Sequence, residues 1–138
     1  MDDVWRIADE LHRGADLFYL GSVDGGGFPN VKTVYPAKFR ESIREIYFST
    51  NTSSLRVAEY RRNPKASVYY ASCATFQGVM LVGFMEVLEE QGTKSRFWNE
   101  GDEQYYPLGE TDPDYCILKF TPVRGRYYHN FRSEDFTV

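Results

Sequence analysis

With only two cysteines, Cys73 and Cys116, the 138-residue chain can build no disulfide scaffold, and their spacing matches neither a CxxC nor a Cys/His metal motif. Both are expected to be buried thiols. Histidine is equally scarce: His12 and His129 sit in no nucleophile or metal-ligand motif, so a catalytic triad and a zinc site find no support. His12 is expected to face solvent. No apolar run reaches the length of a membrane span, and the acidic start lacks the charged-then-apolar order of a signal peptide, so a cytoplasmic location is expected. There is no basic excess either. A net charge of -4 speaks against a nucleic-acid module, whose cations normally cluster on one face. Glu110, Asp112 and Asp114 lack the spacing of a calcium loop and read as a solvated turn.

What the chain has in quantity is aromatic surface, 11 Tyr and 10 Phe, which favours strands and supplies faces for a core, an interface or a flat ring. Length allows one core, and no repeat or linker divides it, so residues 1–138 read as a single domain. Val4, Trp5, Ile7, Ala8 and Leu11 recur at helical spacing, with Asp2 and Asp3 as caps and Gly14 as a stop. Leu17 to Val23 and Asn30 to Phe39 read as a hairpin around Asp24-Gly25-Gly26-Gly27, with Pro36 disturbing the second arm. Glu45 to Thr50 is a third strand, followed by a helix from Ser53 to Arg62 that Asn63-Pro64 ends.

Ala66 to Ala71 and Thr75 to Glu90 read as paired strands, and Gly78 and Gly83 mark a bend or a close approach. A short helix is expected near Phe97 and Trp98. Tyr115 to Thr121 and Arg126 to Phe131 close the set as two strands around Pro122-Val123-Arg124-Gly125. No strand-helix-strand unit carries a glycine phosphate fingerprint, so a doubly wound dinucleotide fold is excluded in favour of a six-stranded, mostly antiparallel barrel with two or three helices.

One stretch carries chemistry. In Tyr47-Phe48-Ser49-Thr50-Asn51-Thr52-Ser53-Ser54-Leu55-Arg56, an aromatic strand runs into hydroxyls, amides and a cation at an expected helix start. The first N–H groups of a helix lack intrahelical partners, so these residue types there make an anion site, suited to phosphate. They equally suit a plain N-cap with a surface arginine. The segment alone leaves both readings open.

The order Gly27-Phe28-Pro29-Asn30-Val31-Lys32, then Tyr47 to Asn51 with Ser54 and Arg56, then Asn63-Pro64, then Val79-Met80-Leu81-Val82-Gly83, resembles the FMN-binding split barrel of the pyridoxamine 5'-phosphate oxidase-like superfamily. Trp98, Tyr106-Pro107-Leu108-Gly109 and Asp112-Pro113 resemble its small, stress-protein-like branch. The resemblance covers nearly the whole chain. It implies an FMN-binding split-barrel homodimer with the flavin at the subunit interface. Lys32, with Lys38 as a second contributor, and Arg56 would supply cations to the phosphate, and Thr50 and Ser54 would bond the flavin or its phosphate; Ser49 and Asn51 share that segment. Gln77 or Gly78 would lie against the ring, and Trp98, Tyr105 or Tyr106 could cover it from the partner or serve as core. Arg56 replaces the family's lysine, and Leu55 stands where the oxidases proper often have a second arginine.

The resemblance also bounds the activity. Tyr127-Tyr128-His129-Asn130-Phe131 does not reproduce the Arg-Leu-His segment with which the true oxidases bind substrate, so vitamin B6 oxidation is not expected. The function implied is electron transfer between a reduced nicotinamide and a small acceptor. The alternatives are a flavin-binding or sensing protein without turnover, or a relative that holds haem, with His129 as axial candidate, or a deazaflavin.

Overall fold

The computed structural model describes residues 2–138. Helix α1 (Asp2–Gly14) precedes strands β1 (Phe18–Val23), β2 (Pro29–Val34) and β3 (Ile46–Asn51); helix α2 (Leu55–Arg62) leads to β4 (Lys65–Ser72) and β5 (Gln77–Leu88). Helix α3 (Gln91–Arg96) and two 3-10 turns, Asp102–Gln104 and Gly109–Thr111, then precede β6 (Tyr115–His129) and β7 (Arg132–Thr137). All pairings are antiparallel, in the order β2-β1-β4-β5-β6-β3 with β7 also on β6. Among the described residues no ladder joins β2 to β3, so the sheet curls without closing, as a split barrel does.

The barrel class expected from the sequence holds, with seven strands rather than six. Tyr115 to His129 form one strand that passes straight through Pro122. Its partner accommodates it: the β5–β6 register shifts between Val82 and Gly83, where Gly83 faces Pro122. A Cβ on Gly83 would lie 2.7 Å from Pro122 Cα, so only glycine lets the backbones approach. The seventh strand begins beyond a two-residue turn in which Asn130 and Phe131 both take positive φ, 53° and 62°. That is the hairpin twist a right-handed ribbon requires. β2 stops at Val34, because Pro36 has no N–H to extend the ladder.

Phe18, Leu20, Phe48, Val68, Tyr70, Val79, Leu81, Leu118 and Phe120 fill the barrel, closed below by Val4 and Ala8 of α1 and by Val57 and Tyr60 of α2. α1 already contains Asp2 and Asp3, which therefore do not cap it from outside. His12 is fully buried rather than solvent-facing. It follows Val4 and Ala8 at successive i+4 positions, so it shares their inward stripe. Its ring meets Phe18 and Tyr70 at 5.6 and 6.0 Å, and neither ring nitrogen finds a partner among the described residues. Burial lowers its pKa to about 4. The cysteines also divide: Cys116 is buried in the barrel, its thiol pushed up to about 12 by burial, whereas Cys73 is exposed in the β4–β5 turn.

Candidate functional site

The start of α2 is built by β3 and the turn that follows it. Along β3, Ile46, Phe48 and Thr50 point into the barrel while Tyr47, Ser49 and Asn51 point out. Thr50 thus emerges from the core at the barrel rim, only 4% exposed. Ser54 caps α2, its Oγ accepting the Val57 N–H at 3.3 Å. Arg56, in the first turn, donates from Nη2 to Thr50 Oγ1 at 2.8 Å, while its Nε is buried with no partner among the described residues.

The protons decide what this corner can bind. Thr50 Oγ1 and Ser54 Oγ each already accept a bond, so each hydroxyl still has its hydrogen to donate. The first N–H groups of α2 have no intrahelical acceptor. With the unpartnered Arg56 Nε, the corner is a set of donors without an opposing acceptor. Such a set matches a phosphate group, which offers only acceptor oxygens and negative charge.

The other candidates lie elsewhere. Ser49 and Asn51 are on the opposite face of β3, where Asn51 Nδ2 donates to Ser53 Oγ at 2.8 Å. Lys32 is exposed on β2, the other strand bordering the open seam. Lys38 Nζ reaches the Trp98 carbonyl at 3.5 Å. Gln77 is held by the Tyr127 hydroxyl at 2.7 Å, and Gly78 lies beneath the Tyr69 phenol. Trp98 is half-buried against Tyr115 and Tyr106, ring centroids 5.1 and 6.2 Å away, in a second apolar cluster with Phe97 and Ile117. Burial there pushes the Tyr106 phenol up to about 12. Tyr105 is exposed.

Sequence reasoning missed the acids behind this corner. Asp112 is buried, not solvated, and accepts from the Asp114 and Leu108 N–H groups at 2.9 and 3.2 Å. Asp114 in turn bonds Thr52 and Ser53 just before the cap. The turn-rich composition of Tyr105 to Asp114 hid both roles, because short acids mark solvated and hydrogen-bonded turns alike. Buried Lys94, donating to the Asp112 carbonyl at 2.9 Å, also had no sequence signal.

Outside the corner, one sheet face stays uncovered. Register aligns Tyr19, Tyr69 and Met80 in one row across β1, β4 and β5, each pointing away from the core and more than a third exposed. A groove of about 430 Å³ runs beside them, walled by Val31, Val82, Phe84 and Val123 with Lys65 and Arg124 among its lining. The groove does not include Thr50, Ser54 or Arg56. Among the described residues no helix is long and apolar enough to cross a membrane.

No curated protein matches the chain. Among solved structures, a Clostridium acetobutylicum protein related to general stress protein 26 of B. subtilis is 33% identical, TM-score 0.88, over 100% of this chain and 96% of that one. General stress protein 26 from Bacillus anthracis (20% identical, TM-score 0.79, 100% of both chains) shares the fold. So does a pyridoxamine 5'-phosphate oxidase-related, FMN-binding protein from Nostoc punctiforme (15%, TM-score 0.64, 94% of this chain and 92% of that one). The family model for pyridoxamine 5'-phosphate oxidase matches residues 7–129, and the chain therefore belongs to that family.

Proposed function

We propose that the protein binds FMN, with its phosphate at the start of α2, and works as a homodimeric oxidoreductase. The observation that carries this reading is the buried, unpartnered Nε of Arg56 beside two hydroxyls with free protons. Buried donors without partners are costly, and an anion removes that cost. Thr50, Ser54 and Arg56 hold the phosphate, with Lys32 as a further cation from across the seam. The Nostoc relative that binds FMN supports the choice of flavin.

The uncovered row of Tyr19, Tyr69 and Met80, with exposed Val31 on β2, is where a second copy docks. The ring then lies between subunits, near Gln77 and Gly78 or under Trp98. Bound flavin would supply the redox chemistry, and the protein's part is to anchor, orient and shield it. Electrons pass from a reduced nicotinamide to a small acceptor.

The absorption spectrum of the purified protein tests the cofactor: flavin bands support the reading, a haem Soret band overturns it. Anaerobic mixing with reduced nicotinamide should bleach the flavin, and pyridoxamine 5'-phosphate should not. No response to any nicotinamide would leave a flavin-binding protein without this turnover.

A further inference from the structure

We infer that Asp114 is the positioning residue of the phosphate corner, an assignment that rests on the FMN reading above. Asp114 touches neither Thr50 nor Arg56. It holds the turn that connects them. Its Oδ1 accepts from the Thr52 hydroxyl at 3.0 Å and from the Ser53 N–H at 2.9 Å, its Oδ2 accepts from the Ser53 hydroxyl at 3.2 Å, and its carbonyl accepts the Thr52 N–H at 2.7 Å. The Thr52 hydroxyl also lies 3.2 Å from the Pro113 carbonyl. Four bonds thus converge from one residue on the two positions between the end of β3 and the cap of α2.

A carboxylate beside a phosphate site is electrostatically adverse, so its presence asks for another reason. Geometry supplies one. By taking the donors of Thr52 and Ser53, Asp114 withdraws them from any anion and leaves Thr50, Ser54 and Arg56 as the donors of the corner. The phosphate position is thereby set on one side of the turn. Those same bonds favour the ionised form and hold the Asp114 carboxyl below the usual carboxylate range, so the clamp is intact at neutral pH. Asp114 is itself fixed from behind, its N–H on Asp112 Oδ1 and the Asp112 carbonyl on Lys94 Nζ. Helix α3, which precedes Trp98, is therefore tied to the phosphate corner through Lys94, Asp112 and Asp114.

The test is titration of wild type, Asp114→Ala and Asp114→Asn, as apo-protein, with FMN and with riboflavin. Asp114→Ala should weaken FMN about tenfold or more, the effect of losing one hydrogen bond's worth of placement, and leave riboflavin within about twofold. Asp114→Asn keeps an oxygen for the Ser53 N–H and should stay within about threefold of wild type for FMN. If Asp114→Ala does not fold, Thr52→Val combined with Ser53→Ala removes the hydroxyl half of the clamp and carries the same expectation. FMN binding that is unchanged or tighter in the alanine variant, or equal losses for both ligands, overturns the assignment. Equal affinity of wild type for FMN and riboflavin is a separate outcome, which removes the phosphate corner itself and the role of Asp114 with it.

Discussion

Arg56 reaches back from the first turn of α2 to bond Thr50 at the end of β3, 2.8 Å from Nη2 to Oγ1. The bond serves α2 poorly by itself, since a cation in the first turn opposes the helix dipole. It also leaves Arg56 Nε buried without a partner. An anion at this corner resolves both defects at once.

Replacing Arg56 with alanine should therefore cost about 1.5–3 kcal/mol of FMN affinity, the range for a hydrogen bond to a charged group, and leave riboflavin nearly unaffected. Arg62 is the control. It sits in the last turn of the same helix, exposed beside Gly25. Fluorescence titration of both alanine variants should separate them, and equal losses, or none, would reduce the helix start to a cap.

The dimer is tested on the uncovered face. Met80 points outward from β5 at 39% exposure, so Met80→Asp leaves the barrel core untouched. Sedimentation should show wild type as a dimer and the variant as a monomer with impaired flavin binding. A wild-type monomer that still binds flavin would contradict a shared site.

Acid should destabilise the protein through His12. Its folded pKa lies at about 4 against the ordinary 6.5, chiefly because it is buried; Asp9 pulls it upward, Arg40 and Arg13 push it down. Below pH 6.5 the unfolded chain takes up a proton that the folded chain refuses, so stability falls with pH until about pH 4 and then no further from this group. The full loss is on the order of 3 kcal/mol. Urea unfolding at several pH values should show this slope in wild type and lose it in His12→Leu. An unchanged slope in the variant would place the acid sensitivity elsewhere.

How much of this was legible in the sequence depended on whether burial left a pattern. β3 and β4 place apolar residues at alternate positions over most of their length, so their existence and facing could be read directly. β7 could not: in Arg-Ser-Glu-Asp-Phe-Thr only Phe136 turns inward. His12 was missed because its polarity outweighed its place on the Val4–Ala8 stripe. At the site, the residue types from Thr50 to Arg56 allowed an anion corner and a plain N-cap alike, and the side-chain contacts of Arg56 were not readable from them. The long-range clamp from Asp114 depends on contacts across more than sixty residues and left no local trace.

The phosphate corner is tested most directly by titrating wild-type apo-protein with FMN and with riboflavin, which differ by the phosphate alone. FMN should bind at least about tenfold tighter, since removing the phosphate forfeits a charge-assisted bond. Equal affinities would contradict a phosphate held by Thr50, Ser54 and Arg56.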